Sequence, residues 1–113
     1  MPSTESPLST AAVHILIGIG PGVRHGYAIM SEVVELTDGQ VRLAPGTLYT
    51  NIKRLLNVGL IEEADPPRAV NPDDARRRYY RLTLAGRRVV ADEVRRMSAL
   101  VDRVGSWAAR TSA

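Results

Sequence analysis

Apolar residues recur every three to four positions in the first half of the chain, and this spacing predicts three amphipathic helices. The first helix should run from Pro7, with Ser6 as its N-cap, to a break at Gly20-Pro21. The second should extend from about Gly26 to Leu36 and stop at Asp38-Gly39. Both segments are long enough to bury one face against a neighbouring helix.

The third helix has the sharpest division into two faces. It should begin at Pro45, whose fixed φ suits a first turn, and end with Gly59 as its C′ residue. Its apolar stripe comprises Leu48, Ile52, Leu55 and Leu56. The opposite face holds Thr47, Thr50, Lys53, Arg54 and Asn57, with Tyr49 and Asn51 on the flanks. No Asp or Glu occurs between Pro45 and Ile61, which is expected of a helix that faces a polyanion.

After Gly59 the pattern changes to that of a two-stranded β-hairpin. Leu60–Ala64 is a short strand, Asp65–Asp74 is a proline-rich turn region, and Arg78–Thr83 is the return strand. Tyr79 and Tyr80 alternate across that strand, so one of them should point inward. One long helix should follow, from Ala85 to about Ala109, with Thr83 as its cap.

Three helices, a hairpin and a long helix make a mainly α fold of the winged helix-turn-helix type. Residues 7–84 are expected to form the DNA-binding domain and residues 85–109 a C-terminal dimerisation helix. Residues 1–6 should be a flexible N-terminus and residues 110–113 a tail.

Composition narrows the function further. The chain has 113 residues, a net charge of +3 and no cysteine, so it holds one domain without disulfides, thiolate metal sites or Cys nucleophiles. Between residues 66 and 88 seven arginines accompany only two aspartates, a surplus that favours an anionic partner.

The chemistry of an enzyme is missing from the sequence. No Ser/His/Asp arrangement or carboxylate pair fits a plausible pocket, and His14 and His25 favour structural roles over metal binding. No cofactor is expected.

The longest apolar run, residues 11–19, is short of the roughly 20 residues of a membrane span. The start of the chain has Glu5 and no basic residue, unlike a signal peptide, so a cytoplasmic protein without a membrane partner is expected.

Hydroxyl, amide and basic side chains are the ones that contact phosphates and read base edges. We therefore expect a double-stranded DNA operator as partner. Its contacts should come from Tyr27, Thr47, Tyr49, Thr50, Asn51, Lys53 and Arg54, with Arg76, Arg77 and Arg78 on the wing. The Asn51 amide could read adenine, whereas Arg54 could hold a phosphate or a guanine. For Tyr27, a packing role is equally compatible with the sequence.

The last helix carries an apolar seam with alternating spacings of four and three residues, as in a coiled coil. The seam comprises Val90, Val94, Met97, Val101, Val104 and Ala108, and it is widened by Leu100 and Trp107. Part of it should pack on the first helix of the same chain, and the rest should meet a second copy in a homodimer.

Four motifs in this order resemble those of the PadR family of transcriptional regulators. They are Arg24–Ile29, Ala44–Tyr49, Lys53–Leu55 with Gly59–Ile61, and Arg78–Gly86. The resemblance implies a dimeric winged-helix repressor whose C-terminal part supplies the dimer contact. The single helix after the hairpin places the chain in the short subclass. Ala44 departs from the family pattern, because many members have a capping Ser there, and loss of that cap costs about 1 kcal/mol.

The resemblance also bears on a small-molecule effector. Some short members hold flat aromatic drugs between the subunits, against a tryptophan early in the last helix. That position corresponds to Met97 here, and the only tryptophan, Trp107, lies ten residues later. Met97 lacks a rigid stacking plane, so this binding mode does not carry over, and the effector stays unidentified.

Two other functions remain open at this point: a winged-helix module for protein–protein interaction and a DNA-binding protein without sequence preference. The first predicts acidic or exposed apolar residues on the third helix. The second does not need a groove-sized polar face with Asn51 and Arg54.

Overall fold

Three helices enclose the apolar centre of the protein in a computed structural model that describes residues 8–68 and 71–111. The first, α1 (Thr10–Ile19), begins where the Ser9 hydroxyl accepts a hydrogen bond from the Ala12 N–H at 3.1 Å. Ser6 and Pro7, the predicted helix start, lie outside the described residues. The N-cap is therefore Ser9, three residues later than the sequence analysis predicted, because this serine satisfies a free N–H of the first turn.

The next two helices have the predicted bounds. Helix α2 (Gly26–Leu36) is capped by His25, whose Nδ1 accepts from the Ala28 N–H at 3.1 Å. Helix α3 (Pro45–Asn57) lacks a side-chain cap at Ala44, as expected from an alanine there. It ends in a Schellman motif, in which Gly59 adopts a φ of 79° and the two N–H groups after Val58 bond back to Leu56 and Leu55.

The sheet has three antiparallel strands, so the prediction of a two-stranded hairpin was incomplete. Strands β1 (Arg24–His25), β2 (Ile61–Ala64) and β3 (Tyr79–Leu82) lie in the order β1-β3-β2. Strand β1 comprises two residues, and His25 lies opposite Tyr79. A strand this short has no periodicity to detect, and it forms because β3 offers a free edge.

Both tyrosines of β3 are buried, which corrects the expectation that only one would point inward. Each is 4% exposed. Tyr80 joins the helical core, while the ring of Tyr79 meets the edge of His25 at a centroid distance of 5.3 Å. Because β1 pairs with β3, His25 lies opposite Tyr79, and its ring packs against the side of the sheet that the sequence analysis left to solvent.

The proline-rich segment between β2 and β3 contains one short helix that was predicted as turn. Helix α4 (Pro72–Ala75) begins at Asn71, whose side chain accepts from the Asp74 N–H at 2.8 Å. Pro72 in the first turn and a capping Asn together suffice for a single turn of helix.

The core is formed by apolar side chains of the first three helices and the two long strands. Its fully buried members are Ile15, Leu16, Ile19, Ile29, Val33, Leu48, Leu55 and Ile61. The predicted stripe of α3 is confirmed, with Leu56 only partly buried. Helix α3 is thereby held by one face, and its other face is free for a partner.

The last helix, α5 (Leu84–Thr111), extends the predicted span by one residue at its start and two at its end. Thr83 caps it as predicted, because its hydroxyl oxygen accepts from the Gly86 N–H at 3.1 Å and donates to the Gly59 carbonyl at 2.6 Å. Gly86 is the one buried residue of α5. No helix in the described part of the chain combines the length and apolarity that crossing a membrane would require.

Candidate nucleic-acid interface

The exposed face of α3 consists of the polar and basic side chains expected there. It presents Thr47, Tyr49, Thr50, Lys53, Arg54 and Asn57 to solvent. Within the described residues, neither Lys53 nor Arg54 takes part in an ion pair. Both cations can therefore bind an anionic ligand without first breaking an ion pair.

Asn51 differs from its neighbours on α3 because it is half-buried and its amide is occupied. Its Nδ2 donates to the Thr47 carbonyl at 2.9 Å, and its Oδ1 lies 3.5 Å from the Ser9 hydroxyl. In this conformation the amide joins α3 to the start of α1. Asn51 must change rotamer before it can read a base edge.

Tyr49 lies across the first turn of α2. A Cβ atom on Gly26 would come within 2.6 Å of the Tyr49 hydroxyl oxygen, so the glycine makes room for the tyrosine. This contact fixes the Tyr49 side chain against α2 and directs it toward the sheet.

The wing is the unit of β2, β3 and their connection, residues 61–82. Arg76, Arg77 and Arg78 all lie exposed just before β3. Arg77 pairs with Asp74 at 3.1 Å, and Arg78 lies 3.8 Å from Glu63 of β2. No ion pair involves Arg76 within the described residues.

The sequence analysis missed the acids that neutralise the wing. Glu63 and Glu62 precede the arginine-rich window, but the register of β2 and β3 places Glu62 opposite Arg81, and their side chains pair at 2.6 Å. A hairpin register derived from Ile61 opposite Leu82 would have revealed these cross-strand pairs.

Tyr27, His25 and Arg77 form a cluster beside the wing. Tyr27 is 59% exposed, its ring stacks with His25, and the Arg77 guanidinium lies 5.9 Å from its centroid. Burial and the nearby Arg77 lower the pKa of His25, and Asp74 acts in the opposite direction. The neutral ring accepts through Nδ1, so its proton is on Nε2.

A cavity of about 330 Å³ connects α3 to the wing. We call it the wing-base pocket. It is lined by His25, Gly26, Tyr49, Arg77, Arg78 and Tyr80. Of the residues expected at the DNA surface, Tyr49 of α3 and Arg77 and Arg78 of the wing therefore meet at this point. Tyr79 lies outside the pocket.

The predicted dimerisation seam lies largely exposed on the single chain. Val90 packs partly against the core, whereas Val94, Met97, Leu100, Val101, Val104 and Trp107 are exposed and Ala108 is half-buried. A second cavity of about 310 Å³ lies between Ile17 of α1 and the α5 segment from Val94 to Asp102. The predicted packing of the seam on α1 is confined to its first part.

Comparison with protein families agrees with this geometry. The model of the transcriptional regulator PadR-like family matches residues 15–92 of the chain. The chain belongs to the PadR-like family. This confirms the resemblance carried by the four motifs and indicates a transcriptional regulator rather than an enzyme. A comparison with curated protein sequences found no significant match.

Several solved structures have the same fold. The PadR family transcription regulator of Clostridium difficile has 21% identity and a TM-score of 0.72, covering 88% of this chain and 98% of its own. H. salinarum RosR has 26% identity and a TM-score of 0.64, covering 93% and 94%. Bacillus subtilis PadR in complex with operator DNA has 22% identity and a TM-score of 0.62, covering 78% and 48%.

Proposed function

We propose that this PadR-like protein is a dimeric, sequence-specific DNA-binding regulator that represses transcription. The observation that carries the proposal is the exposed face of α3, which has hydroxyl, amide and basic side chains and no acidic residue. These groups donate to phosphate oxygens and base edges. In this arrangement α3 enters the major groove and the wing lies along the backbone or the minor groove.

The basic residues of this surface fall into two groups, those without an ion pair and those that already have one. Lys53 and Arg54 on α3 and Arg76 on the wing are available for immediate contact with DNA. Arg77 and Arg78 must exchange the carboxylates of Asp74 and Glu63 for phosphate oxygens. A similar fold in Bacillus subtilis PadR has been solved with operator DNA, which supports a DNA partner for this chain.

The exposed apolar seam of α5 supports a homodimer. Six large apolar side chains in a row on one helix exceed what a monomeric surface usually carries. Pairing of two such helices buries the seam and places two copies of α3 at half-sites about one DNA turn apart.

Repression follows from the family resemblance, because a dimer on a promoter blocks access to it. An effector that releases the DNA is left unidentified. Met97 in the seam offers no stacking plane, so we expect planar cationic drugs to bind weakly and to leave the DNA complex intact.

Selection of bound sequences from a random duplex library tests the proposal. We expect two inverted half-sites about 10 base pairs apart, and an affinity for the selected duplex at least about 1000-fold above that for random duplex. Equal affinity for both would indicate a sequence-independent binder. Absence of binding to any duplex at low salt would favour a protein–protein interaction module.

The wing is tested by replacing Arg76, Arg77 and Arg78 together with alanine. Binding should weaken on selected and random duplexes alike, and the dependence on salt should flatten by about 1 per lost phosphate contact, measured by anisotropy at several salt concentrations.

The matched control replaces Arg95, Arg96 and Arg103, which are also exposed but lie on α5, outside the wing. It removes the same charge and should retain the wild-type salt dependence. If both triple variants behave alike, the wing does not contact DNA.

A further inference from the structure

Tyr80 is a buried side chain whose hydroxyl has no hydrogen-bond partner among the described residues. Its ring packs into the core and it is only 4% exposed, yet no hydrogen bond to its hydroxyl occurs within the part of the chain that the structure describes. A buried hydroxyl without a partner is destabilising, so native proteins retain few of them without a reason. Tyr79 is equally buried and its hydroxyl also lacks a hydrogen bond within the described residues, but Tyr80 lines the wing-base pocket, where an acceptor from outside the chain can reach its hydroxyl.

The surroundings of Tyr80 identify that acceptor by charge. Tyr80 lines the wing-base pocket together with Arg77, Arg78 and Tyr49. Its hydroxyl is close enough to Glu63, Arg78 and Tyr49 for their charges to act on it. Burial, followed by the influence of Glu63, raises the pKa of Tyr80, so the hydroxyl remains a donor at neutral pH.

The pocket therefore offers mainly donors. Two arginines and two tyrosines line it, and all four carry hydrogen-bond donors. His25 also lines it, with its proton on Nε2 because Nδ1 is committed to the helix cap. The carboxylates that balance the arginines, on Asp74 and Glu63, are not among the lining residues. A compact anion with several acceptor oxygens suits this set, and a phosphate group has that chemistry.

We propose that the wing-base pocket binds one phosphate group of the DNA backbone, with the Tyr80 and Tyr49 hydroxyls donating to its oxygens and the two arginines balancing its charge. The inference rests on the proposed function, since it assigns a contact within that DNA complex. The pocket lies between α3 and the wing, so the bound phosphate sets how deeply α3 enters the groove. Such a contact positions the protein without reading sequence.

Replacement of Tyr80 by Phe tests the pocket, because it removes one hydroxyl and leaves the buried ring in place. Affinity for selected and random duplexes should fall by about tenfold for each half-site, the effect of one hydrogen bond to a charged group. The salt dependence should stay at its wild-type value, because a neutral donor displaces no counterion. This combination separates Tyr80 from the wing arginines, whose removal flattens the salt dependence.

Tyr79→Phe is the matched control. Tyr79 is adjacent, equally buried and outside the pocket, so its variant should bind DNA as the wild type does. Thermal melting of both variants shows whether each is folded. Wild-type affinity in a folded Tyr80→Phe variant would overturn the assignment, and so would an equal loss in both variants.

A methylphosphonate scan of one selected half-site locates the phosphate. Neutral substitution at a single backbone position should weaken wild-type binding, and it should have little further effect on the Tyr80→Phe variant. Additive losses at every position would overturn the proposal. Failure of the wild type to bind any duplex would instead contradict the proposed function itself.

Discussion

The winged-helix part of the chain and the distal half of α5 bury their apolar side chains to opposite extents. Core residues such as Ile15 and Leu48 are fully buried, whereas Val101 is 64% and Trp107 is 56% exposed. Both parts have a regular apolar pattern along the sequence. The difference teaches that the first part completes its core within one chain, while the second has an apolar face that a single chain leaves uncovered.

The boundary between the two parts is a close contact. The Gly86 Cα approaches the Leu60 carbonyl so closely that a Cβ would lie 2.0 Å from its oxygen. Thr83 bonds to Gly59 at the same place. These contacts fix the first turn of α5 against the residues that lead into β2. Among the described residues, the later turns of α5 do not have such contacts to the winged-helix part.

The largest effect is expected from Val101→Asp, which tests whether the exposed half of α5 forms the dimer contact. In a dimer it would place two carboxylates in an apolar seam, with an expected loss of about 4 kcal/mol in dimerisation free energy. Sedimentation should show monomers with much weaker operator affinity. Ala99→Asp, on the outer side of the same helix, should remain dimeric. A dimeric Val101→Asp variant would contradict the seam.

Gly86→Ala tests the boundary. The added methyl group collides with backbone rather than with a flexible side chain, so the free energy of unfolding should fall by about 3 kcal/mol in urea denaturation.

The same substitution at Gly105 is the matched control, because its Cβ would lie 3.5 Å from the Val101 side chain, an ordinary contact. There alanine should raise helix stability by about 1 kcal/mol. Equal effects at the two glycines would remove the distinction between the two parts of α5.

The smallest effect concerns pH and is confined to the winged-helix part. The pKa of His25 is lowered in the folded chain, so the folded state binds fewer protons than the unfolded state, whose histidine titrates near 6.5. The contribution of His25 is complete above that pH and is lost as the pH falls through the lowered pKa, because burial and the nearby Arg77 disfavour the protonated ring.

Asn also caps helices but does not titrate in this range. His25→Asn should therefore match the wild type at pH 7.5 and lose less stability between pH 7 and pH 5, by at most about 1 kcal/mol. Urea midpoints at both pH values measure the difference. An unchanged pH dependence would show that His25 does not contribute to it.

Local features of the sequence were sufficient to predict α2, α3 and most of α5. The bounds of α2 and α3 follow from a period of 3.6 residues and from signals at the ends, such as Pro45 and Gly59, which act within one turn. The cap at Thr83 followed in the same way. The start of α1 was misplaced because two serines both fit an N-cap, and only contacts of the first turn distinguish them.

The sequence by itself determined the helical periods, the acid-free face of α3 and the apolar seam of α5, because each depends only on residues that are close together along the chain. Only the tertiary structure decided that β1 pairs with β3, that Glu63 neutralises Arg78 and that Asn51 bonds to α1. It also brought Tyr80 and Tyr49 to one pocket. These features join residues distant along the chain, and their geometry depends on how the strands and helices pack.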